Sequence, residues 1–333
     1  MKLKINCPVC DGKSSPHSVM KKREYRGETF NVLEQFYKCD KCSHSFTNKQ
    51  FADYNFHLVR NKYREKYNIP FPEQLKFIRE SYGLSKTKMS EVLGFGPNQY
   101  RLYETGEIPA GGNITLLNMI IEPVEFKKLL IKKGNLFYKS QLETVLKKIN
   151  KTIDGDFSIR LKNILFPRDI IPNIYTGFKL PSFKKFANMV LYFLDEAPFK
   201  TRLNKLLFYA DFAHFKYFGY SITGCRYAAI NMGPVPDNYS LIFGLTESED
   251  YIETNTYKNQ NGEFDKFIRL KSFNSELFLS SEIEILDLTI NTFTKYTTKQ
   301  IIDVSHKEPG WLANEASKDN IDYSVYAPQL QKV

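Results

Sequence analysis

The sequence predicts a multidomain protein with a small α+β domain first, an all-α domain next and a mostly helical α+β domain last. Three observations predict this order. The 333 residues exceed one ordinary domain, two Cys-x-x-Cys pairs lie near the start, and apolar residues then recur at helical spacing. Hydrophobic residues make up 42% of the chain, which is enough for packed cores and excludes wholesale disorder.

The charge and the hydropathy pattern indicate the compartment and the class of partner. A formal net charge of +10 favours polyanionic partners such as nucleic acid. No apolar run approaches the roughly 20 residues of a membrane span, and the first ten residues lack the apolar core of a secretion signal. Cys225 is the fifth cysteine and stands alone, which predicts a small buried hydrophobe rather than a disulfide partner. We therefore expect a cytoplasmic protein.

The two Cys-x-x-Cys pairs carry the most specific chemical signal. Their four thiolates supply the soft ligands that tetrahedral Zn²⁺ prefers. Four cysteines close the coordination shell, whereas a catalytic zinc keeps one position for water, so we expect one structural Zn²⁺ per chain. The segment 28–37 between the pairs is rich in β-branched and aromatic residues and predicts a strand of a hairpin. The predicted ligands are Cys7, Cys10, Cys39 and Cys42.

Two histidines near the cysteines leave an alternative open. His17 or His44 could replace a cysteine as a metal ligand, because a neutral imidazole also binds Zn²⁺. Surface histidines are the simpler interpretation, and we expect both side chains to be exposed.

The segment 84–109 predicts two short helices joined by a tight turn. Ser85 is suited to cap the first helix, Gly94 breaks it, and Pro97 suits the first position of a second helix. Tyr100 and Tyr103 of the second helix are spaced to turn inward, and Gly106 then ends that helix. Helical spacing in 71–82 and 114–121 adds supporting helices, so the segment predicts a helix-turn-helix domain that binds double-stranded DNA.

The second of these helices would offer polar side chains to DNA. We expect its N-terminal residues to contact base edges and two lysines of the first helix to contact phosphates. A generic helical bundle with a solvated polar face is the alternative. The candidate DNA-binding residues are Asn98, Gln99, Arg101, Lys86 and Lys88.

Prolines, glycines and changes of pattern divide the chain into four segments. A zinc-binding domain with a connecting helix spans 1–66, the helix-turn-helix domain 67–134, a helix and linker 135–181, and the C-terminal domain 182–333. The linker is punctuated by Gly155, Pro167, Pro172 and Pro181.

The front of the chain resembles the MqsA-like antitoxins over roughly residues 1–133. The resemblance rests on CPVC, CDKC and LGFGPNQYRLYETGEIP, in that order. It implies a zinc-bearing domain and a Cro/repressor-like helix-turn-helix that dimerises and represses its own operon. Asn98 matches the asparagine that reads bases in the family, whereas the family's second reader falls on Leu102, one position after Arg101.

The rear of the chain resembles the Panacea domain, also called the SocA-like antitoxin domain, over about residues 183–315. RLNKLLFYADFAHFKYFG, YAAINMGPVPDNY and SHKEPGW carry this resemblance. It implies a domain that neutralises a toxin encoded beside it. The mostly helical α+β prediction comes from the residues themselves, because two strongly apolar helices precede strand-like segments around Asn261-Gly262.

Several residues of the rear domain allow two interpretations. Gly233, Pro234, Val235 and Pro236 would form a rigid loop that either turns the chain or binds a partner. Trp311 would be a core anchor. A hydrolytic or metal constellation of Asp211, His214 and His306 is conceivable, but buried residues that satisfy each other's hydrogen bonds explain the same positions.

The sequence therefore predicts a non-enzymatic antitoxin of a type II toxin-antitoxin system. We expect it to bind a toxin protein through its rear domain and its own promoter through the helix-turn-helix, as a homodimer. The alternatives are an adaptor or transcription regulator without a toxin partner, and a zinc-containing enzyme acting on nucleic acid.

Overall fold

The computed structural model describes residues 4–153, 162, 164–167, 171–259 and 262–333. The chain divides into two compact units. The first combines Met1–Lys62 with Asn173–Val333, and the second is Tyr63–Pro172. No helix in the described parts of the chain is long and apolar enough to cross a membrane.

A four-stranded antiparallel sheet begins the first unit. Its strands follow the chain in order: β1 (Ile5–Asn6), β2 (Lys13–Tyr25), β3 (Glu28–Cys39) and β4 (Ser45–Phe46). Arg26 and Gly27 connect β2 to β3 with φ values of 52° and 80°. Positive φ at both turn residues matches the right-handed twist of the two strands, and β2 pairs with β3 along nearly its whole length.

Helix α1 (Lys49–Lys66) follows the sheet, and its part up to Lys62 packs against the C-terminal part of the first unit. Its Tyr54 ring meets the ring of Phe215 edge-on, with centroids 6.3 Å apart. The Gln50 side chain donates a hydrogen bond to the carbonyl oxygen of Tyr217 over 2.9 Å, and the Gln35 amide of β3 donates to that of Lys216. The sheet and the C-terminal region therefore share one core.

The C-terminal region surrounds one central helix, α9 (Lys200–Phe218), which buries polar residues such as Lys205 and Asp211 as well as apolar ones. Two small antiparallel sheets accompany the helices: β5 (Tyr227–Ile230) with β6 (Gly233–Pro236), and β7 (Ile252–Asn259) with β8 (Gly262–Arg269). The helices of this region are α8 (Phe183–Phe193), α9 (Lys200–Phe218), α10 (Tyr239–Ser248), α11 (Ser280–Phe293), α12 (Thr298–Ser305), α13 (Pro309–Leu312) and α14 (Tyr323–Tyr326).

The expected rigid loop at 233–236 is instead strand β6, and this corrects the sequence interpretation. Gly233 pairs with Ile230 and Pro236 with Tyr227, and all four residues of the strand are buried. The prolines fit because the sheet has only two strands, which leaves the other edge of β6 without a ladder. The residues therefore lie in the interior of the domain rather than on an exposed loop.

The second hairpin also differs in detail from the expectation. Asn259 pairs with Gly262, so Gly262 is the first residue of β8 rather than part of the turn. Asn261 lies outside the described residues, as does Gly155 of the predicted linker.

The second unit is helical throughout its described elements. They are α2 (Pro72–Ser81), α3 (Lys86–Leu93), α4 (Gln99–Glu104), α5 (Gly111–Met119), α6 (Pro123–Lys132) and α7 (Lys139–Ile153). Ser85 caps α3 by accepting a hydrogen bond from the Lys88 backbone N–H, and Gly94 ends it with φ of 71°. Helix α4 begins at Gln99, two residues after Pro97, and its Tyr100 and Tyr103 point into the core as the sequence predicts.

Candidate metal centre and candidate DNA-binding surface

The four cysteines of the two Cys-x-x-Cys pairs come together at one end of the sheet. One pair lies in the β1–β2 connection and the other in the β3–β4 connection, so the antiparallel pairing of β2 with β3 brings them to the same place. Their ligand atoms all lie within 4.8 Å of one another. The sulfur atoms of Cys7 and Cys42 are 3.7 Å apart and those of Cys10 and Cys39 are 3.5 Å apart.

Both Cys-x-x-Cys turns have the same backbone geometry. The Cys7 N–H donates to the Gly12 carbonyl over 2.7 Å, and the Cys39 N–H donates to the His44 carbonyl over 2.9 Å. The N–H groups of Lys41 and Cys42 point at the Cys39 sulfur over 3.3 and 3.4 Å. These donors, chiefly the Cys42 N–H, lower the pKa of the Cys39 thiol to about 6, which favours the thiolate that binds metal.

This geometry fits a tetrahedral zinc ion. Zinc–sulfur bonds of about 2.3 Å place the sulfurs of a tetrahedron about 3.8 Å apart, close to the two separations above and far from a disulfide bond. Space beside the cluster is tight, because a Cβ atom at Gly12 would lie 3.3 Å from the sulfurs of Cys10 and Cys39. Cys7, Cys10, Cys39 and Cys42 could therefore hold a metal ion such as zinc.

The nearby histidines stand apart from the cysteine cluster. His17 and His44 are exposed, and each stacks on a phenylalanine: His17 on Phe36 and His44 on Phe46. Neither belongs to the group of potential metal ligands found among the described residues.

The predicted base-reading residues cluster at the start of α4. Asn98 and Arg101 are exposed, and Gln99 is half-buried with its amide 3.3 Å from a carboxylate oxygen of Glu107. The Asn98 side chain makes no capping hydrogen bond to α4. These three polar groups therefore face solvent on one helix end.

The two predicted phosphate contacts differ from each other. Lys86 is exposed and its ammonium lies 3.6 Å from Glu104. Lys88 is half-buried, donates to the Leu136 carbonyl over 2.9 Å and pairs with Glu91 at 2.6 Å. The structure thus leaves Lys86 available at the surface and uses Lys88 to hold the helices together.

The sequence analysis missed the residues that position α4. Arg79 of α2 pairs with Glu104 at the end of α4 over 2.5 Å and donates to the Leu84 carbonyl over 2.9 Å. The Ser90 hydroxyl of α3 accepts a hydrogen bond from the Tyr100 backbone N–H. An arginine at helical spacing within an apolar stripe of α2 was the available signal.

The three polar residues of the rear domain occupy separate environments. Asp211 is fully buried and accepts hydrogen bonds from the Ile222 N–H (2.7 Å), from the Thr223 N–H (2.9 Å) and hydroxyl (2.5 Å), and from the Tyr227 hydroxyl (2.9 Å). Burial raises the pKa of its carboxyl to about 6. The Asp211 carboxylate thus holds the segment 222–227, which follows α9, against this helix by hydrogen bonds.

The two histidines have other partners. His214 contacts the Tyr220 carbonyl and the Ser281 hydroxyl, and burial lowers its pKa to about 3. His306 stacks on Trp311 with ring centroids 4.1 Å apart. No hydrogen bond joins either histidine to Asp211 within the described chain, so the residues do not form the constellation considered from sequence.

Comparison with protein families identifies the class of the rear domain. Residues 203–312, from α9 to the end of α13, match the family described as antitoxin SocA-like, Panacea domain. This supports the expected Panacea-like assignment over those residues. Comparison with curated proteins found no match.

Proposed function

We propose that this protein is an antitoxin whose rear domain binds and silences a protein toxin. The observation that carries the proposal is the match of residues 203–312 to the SocA-like Panacea antitoxin family. The domain is built around the buried helix α9, so its surface is held by a rigid core. A preorganised surface loses little conformational entropy on binding, which favours steric occlusion of a partner.

Co-expression tests this function. The product of the reading frame beside this gene should arrest growth when induced alone, and the full-length antitoxin should restore growth and co-purify with it. The full chain is required because residues 1–62 and 173–333 share one compact unit. Growth arrest that persists with folded, well-expressed antitoxin would contradict the proposal for that partner.

We further propose that the front half represses the operon through DNA. Asn98, Gln99 and Arg101 would reach base edges from the start of α4, and Lys86 would contact a phosphate. The exposure of Asn98, Arg101 and Lys86 supports the proposal. A homodimer would present two such helices to half-sites about 34 Å apart along the duplex.

A reporter fused to the gene's own upstream region tests repression. Full-length protein should lower reporter expression, and the purified protein should bind that duplex more tightly than a shuffled duplex at the same salt concentration. Equal binding to both duplexes would contradict sequence-specific repression.

The proposed zinc ion would be structural. Held by Cys7, Cys10, Cys39 and Cys42, it would link the two connections of a sheet too small to build a large apolar core of its own. The closed set of four thiolates supports this role.

A further inference from the structure

A cavity of about 260 Å³ opens beside the N-terminal half of α9. Its walls come from α9, the β5–β6 hairpin and strand β8, all within the first unit. Pockets for drug-sized ligands usually measure roughly 300–1,000 Å³. The space is therefore suited to one side chain from another protein rather than to a large cofactor.

Lys205 lines this cavity and is only 1% exposed. Its ammonium donates to the Pro234 carbonyl over 3.1 Å, which uses one of three N–H groups. No carboxylate pairs with it in the described chain. The other charged wall residues are compensated, because Lys200 pairs with Asp265 at 3.0 Å and Glu263 pairs with Lys258 at 2.5 Å.

Asn204 provides a second polar group with unused capacity. Its side chain is 4% exposed and lines the same cavity, and its Oδ1 atom has no hydrogen-bond partner among the described residues. Its amide N–H groups form no hydrogen bond there either. The two remaining N–H groups of the Lys205 ammonium and the unbonded amide N–H groups of Asn204 favour a ligand with paired acceptor oxygens, which a carboxylate supplies.

Strand β6 is shaped around this lysine. A Cβ atom at position 233 would lie 2.6 Å from the Lys205 ammonium, and Gly233 also has a φ of 94°. Glycine therefore satisfies both the backbone conformation and the close approach of the lysine. The Gly-Pro-Val-Pro segment thus contributes to the cavity by accommodating Lys205 rather than as an exposed loop.

Three of the apolar side chains that line the cavity are exposed to solvent. Phe199 is 41% exposed, Met232 53% and Phe264 37%. Aromatic residues and methionine are enriched in protein–protein interfaces. Apolar contacts around a buried polar site can exclude water from it, which is a feature of interface hot spots.

We propose that this cavity receives an aspartate or glutamate side chain of the toxin, whose carboxylate bonds to Lys205 and Asn204 while Phe199, Met232 and Phe264 pack around it. The proposal rests on the antitoxin function proposed above and names the contact surface for it. The occupant follows from charge complementarity, because among the described residues of the wall the charge without a countercharge is positive.

Two substitutions and a control test the site in the full-length chain, with the product of the adjacent reading frame as the partner. Lys205→Met removes the charge at similar volume, and Met232→Glu places a negative charge on the rim. Leu312→Glu is the control, since Leu312 is 54% exposed and does not line the cavity. We expect the first two to weaken binding at least about 30-fold and the control to bind as the wild type does.

Thermal unfolding of each variant shows whether the variant is folded, so that weaker binding can be assigned to loss of the contact rather than to loss of the fold. Unchanged binding by folded Lys205→Met and Met232→Glu would overturn the proposed site, while rescue by the wild type would leave the antitoxin function intact. Failure of the wild type to rescue growth would instead reject the antitoxin function for that partner.

A titration without the toxin tests whether the cavity binds a carboxylate side chain. Glutamate blocked at both backbone ends should shift the side-chain amide signal of Asn204 in the wild-type NMR spectrum, and the equally blocked glutamine should not. Lys205→Met should abolish the shift. Equal shifts with both compounds, or none with blocked glutamate, would overturn the site whatever the toxin proves to be.

Discussion

Asp211 illustrates how a single buried carboxylate holds a loop to a helix. Replacing Asp211 with alanine would leave two backbone N–H groups and the hydroxyls of Thr223 and Tyr227 without their acceptor. We expect a loss of about 3–5 kcal/mol of unfolding free energy, measured by denaturant titration. Asp319→Ala is the control because Asp319 is exposed, and an equal loss in both variants would argue against this role.

Lys205 should give the protein a measurable pH dependence. Burial lowers its pKa to about 7, whereas the unfolded side chain keeps a pKa near 10.5. Between these values the unfolded state binds more protons, so stability rises with pH, and the cost of burying the charge is fully present below pH 7. Lys205→Met should therefore stabilise the protein most near pH 7 and progressively less towards pH 10.

Denaturant titrations at a series of pH values measure this difference. Lys216, whose pKa burial lowers to about 8, contributes in the same range but is present in both proteins. A constant difference between the wild type and Lys205→Met across the range would contradict the assigned cause.

Asn98 and Lys86 should affect DNA binding in different ways. Asn98→Ala should cost about 1–3 kcal/mol on the upstream duplex and little on a shuffled one, because it removes a base contact. Lys86→Ala should weaken binding to both duplexes. It should also reduce the steepness of the plot of log association constant against log salt concentration by about 1. Fluorescence anisotropy at several salt concentrations distinguishes them. Equal losses on both duplexes for Asn98→Ala would exclude base reading.

At the scale of elements, the two cysteine turns lie together at one end of the β2–β3 hairpin. The purified protein should contain one zinc ion per chain by elemental analysis. Cys39→Ser should abolish stoichiometric zinc and expose the amide hydrogens of β1 to β4 to exchange, because metal binding supplies folding free energy. Cys225→Ala should keep its zinc, since Cys225 lies outside the cluster. Full protection after chelation would show that the sheet needs no metal.

At the scale of the whole molecule, the two compact units should unfold as separate cooperative transitions. Leu75→Ala opens a cavity in the core of 63–172, and Phe212→Ala opens one in the core shared by 1–62 and 173–333. Each substitution should lower the free energy of unfolding of its own unit by about 2–5 kcal/mol and so lower the temperature of one calorimetric transition. A single transition shifted by both variants would indicate one cooperative unit.

Local patterns explain how much of the fold could be predicted. The spacing of the cysteines, the cap at Ser85, the breaker at Gly94 and the inward tyrosines of α4 depend on neighbours within a few residues, and the structure confirms each of them. The partial burial of Lys88 and the strand at 233–236 were not predicted, because the surroundings of both come from residues distant in sequence. The Lys88 ammonium donates a hydrogen bond to the Leu136 carbonyl, and Gly233 packs closely against the Lys205 ammonium.

The sequence by itself therefore determined the four-cysteine cluster and the helical character of the middle, because each leaves a periodic or closely spaced signature, whereas the Panacea-like assignment of the rear domain came from a family resemblance. Only the tertiary structure decided that the cysteine-bearing sheet shares a compact unit with the C-terminal region and that Lys205 lies buried in a cavity without a countercharge. Both depend on contacts between segments far apart in the chain, and the free energy of such contacts leaves no local pattern in the residues that make them.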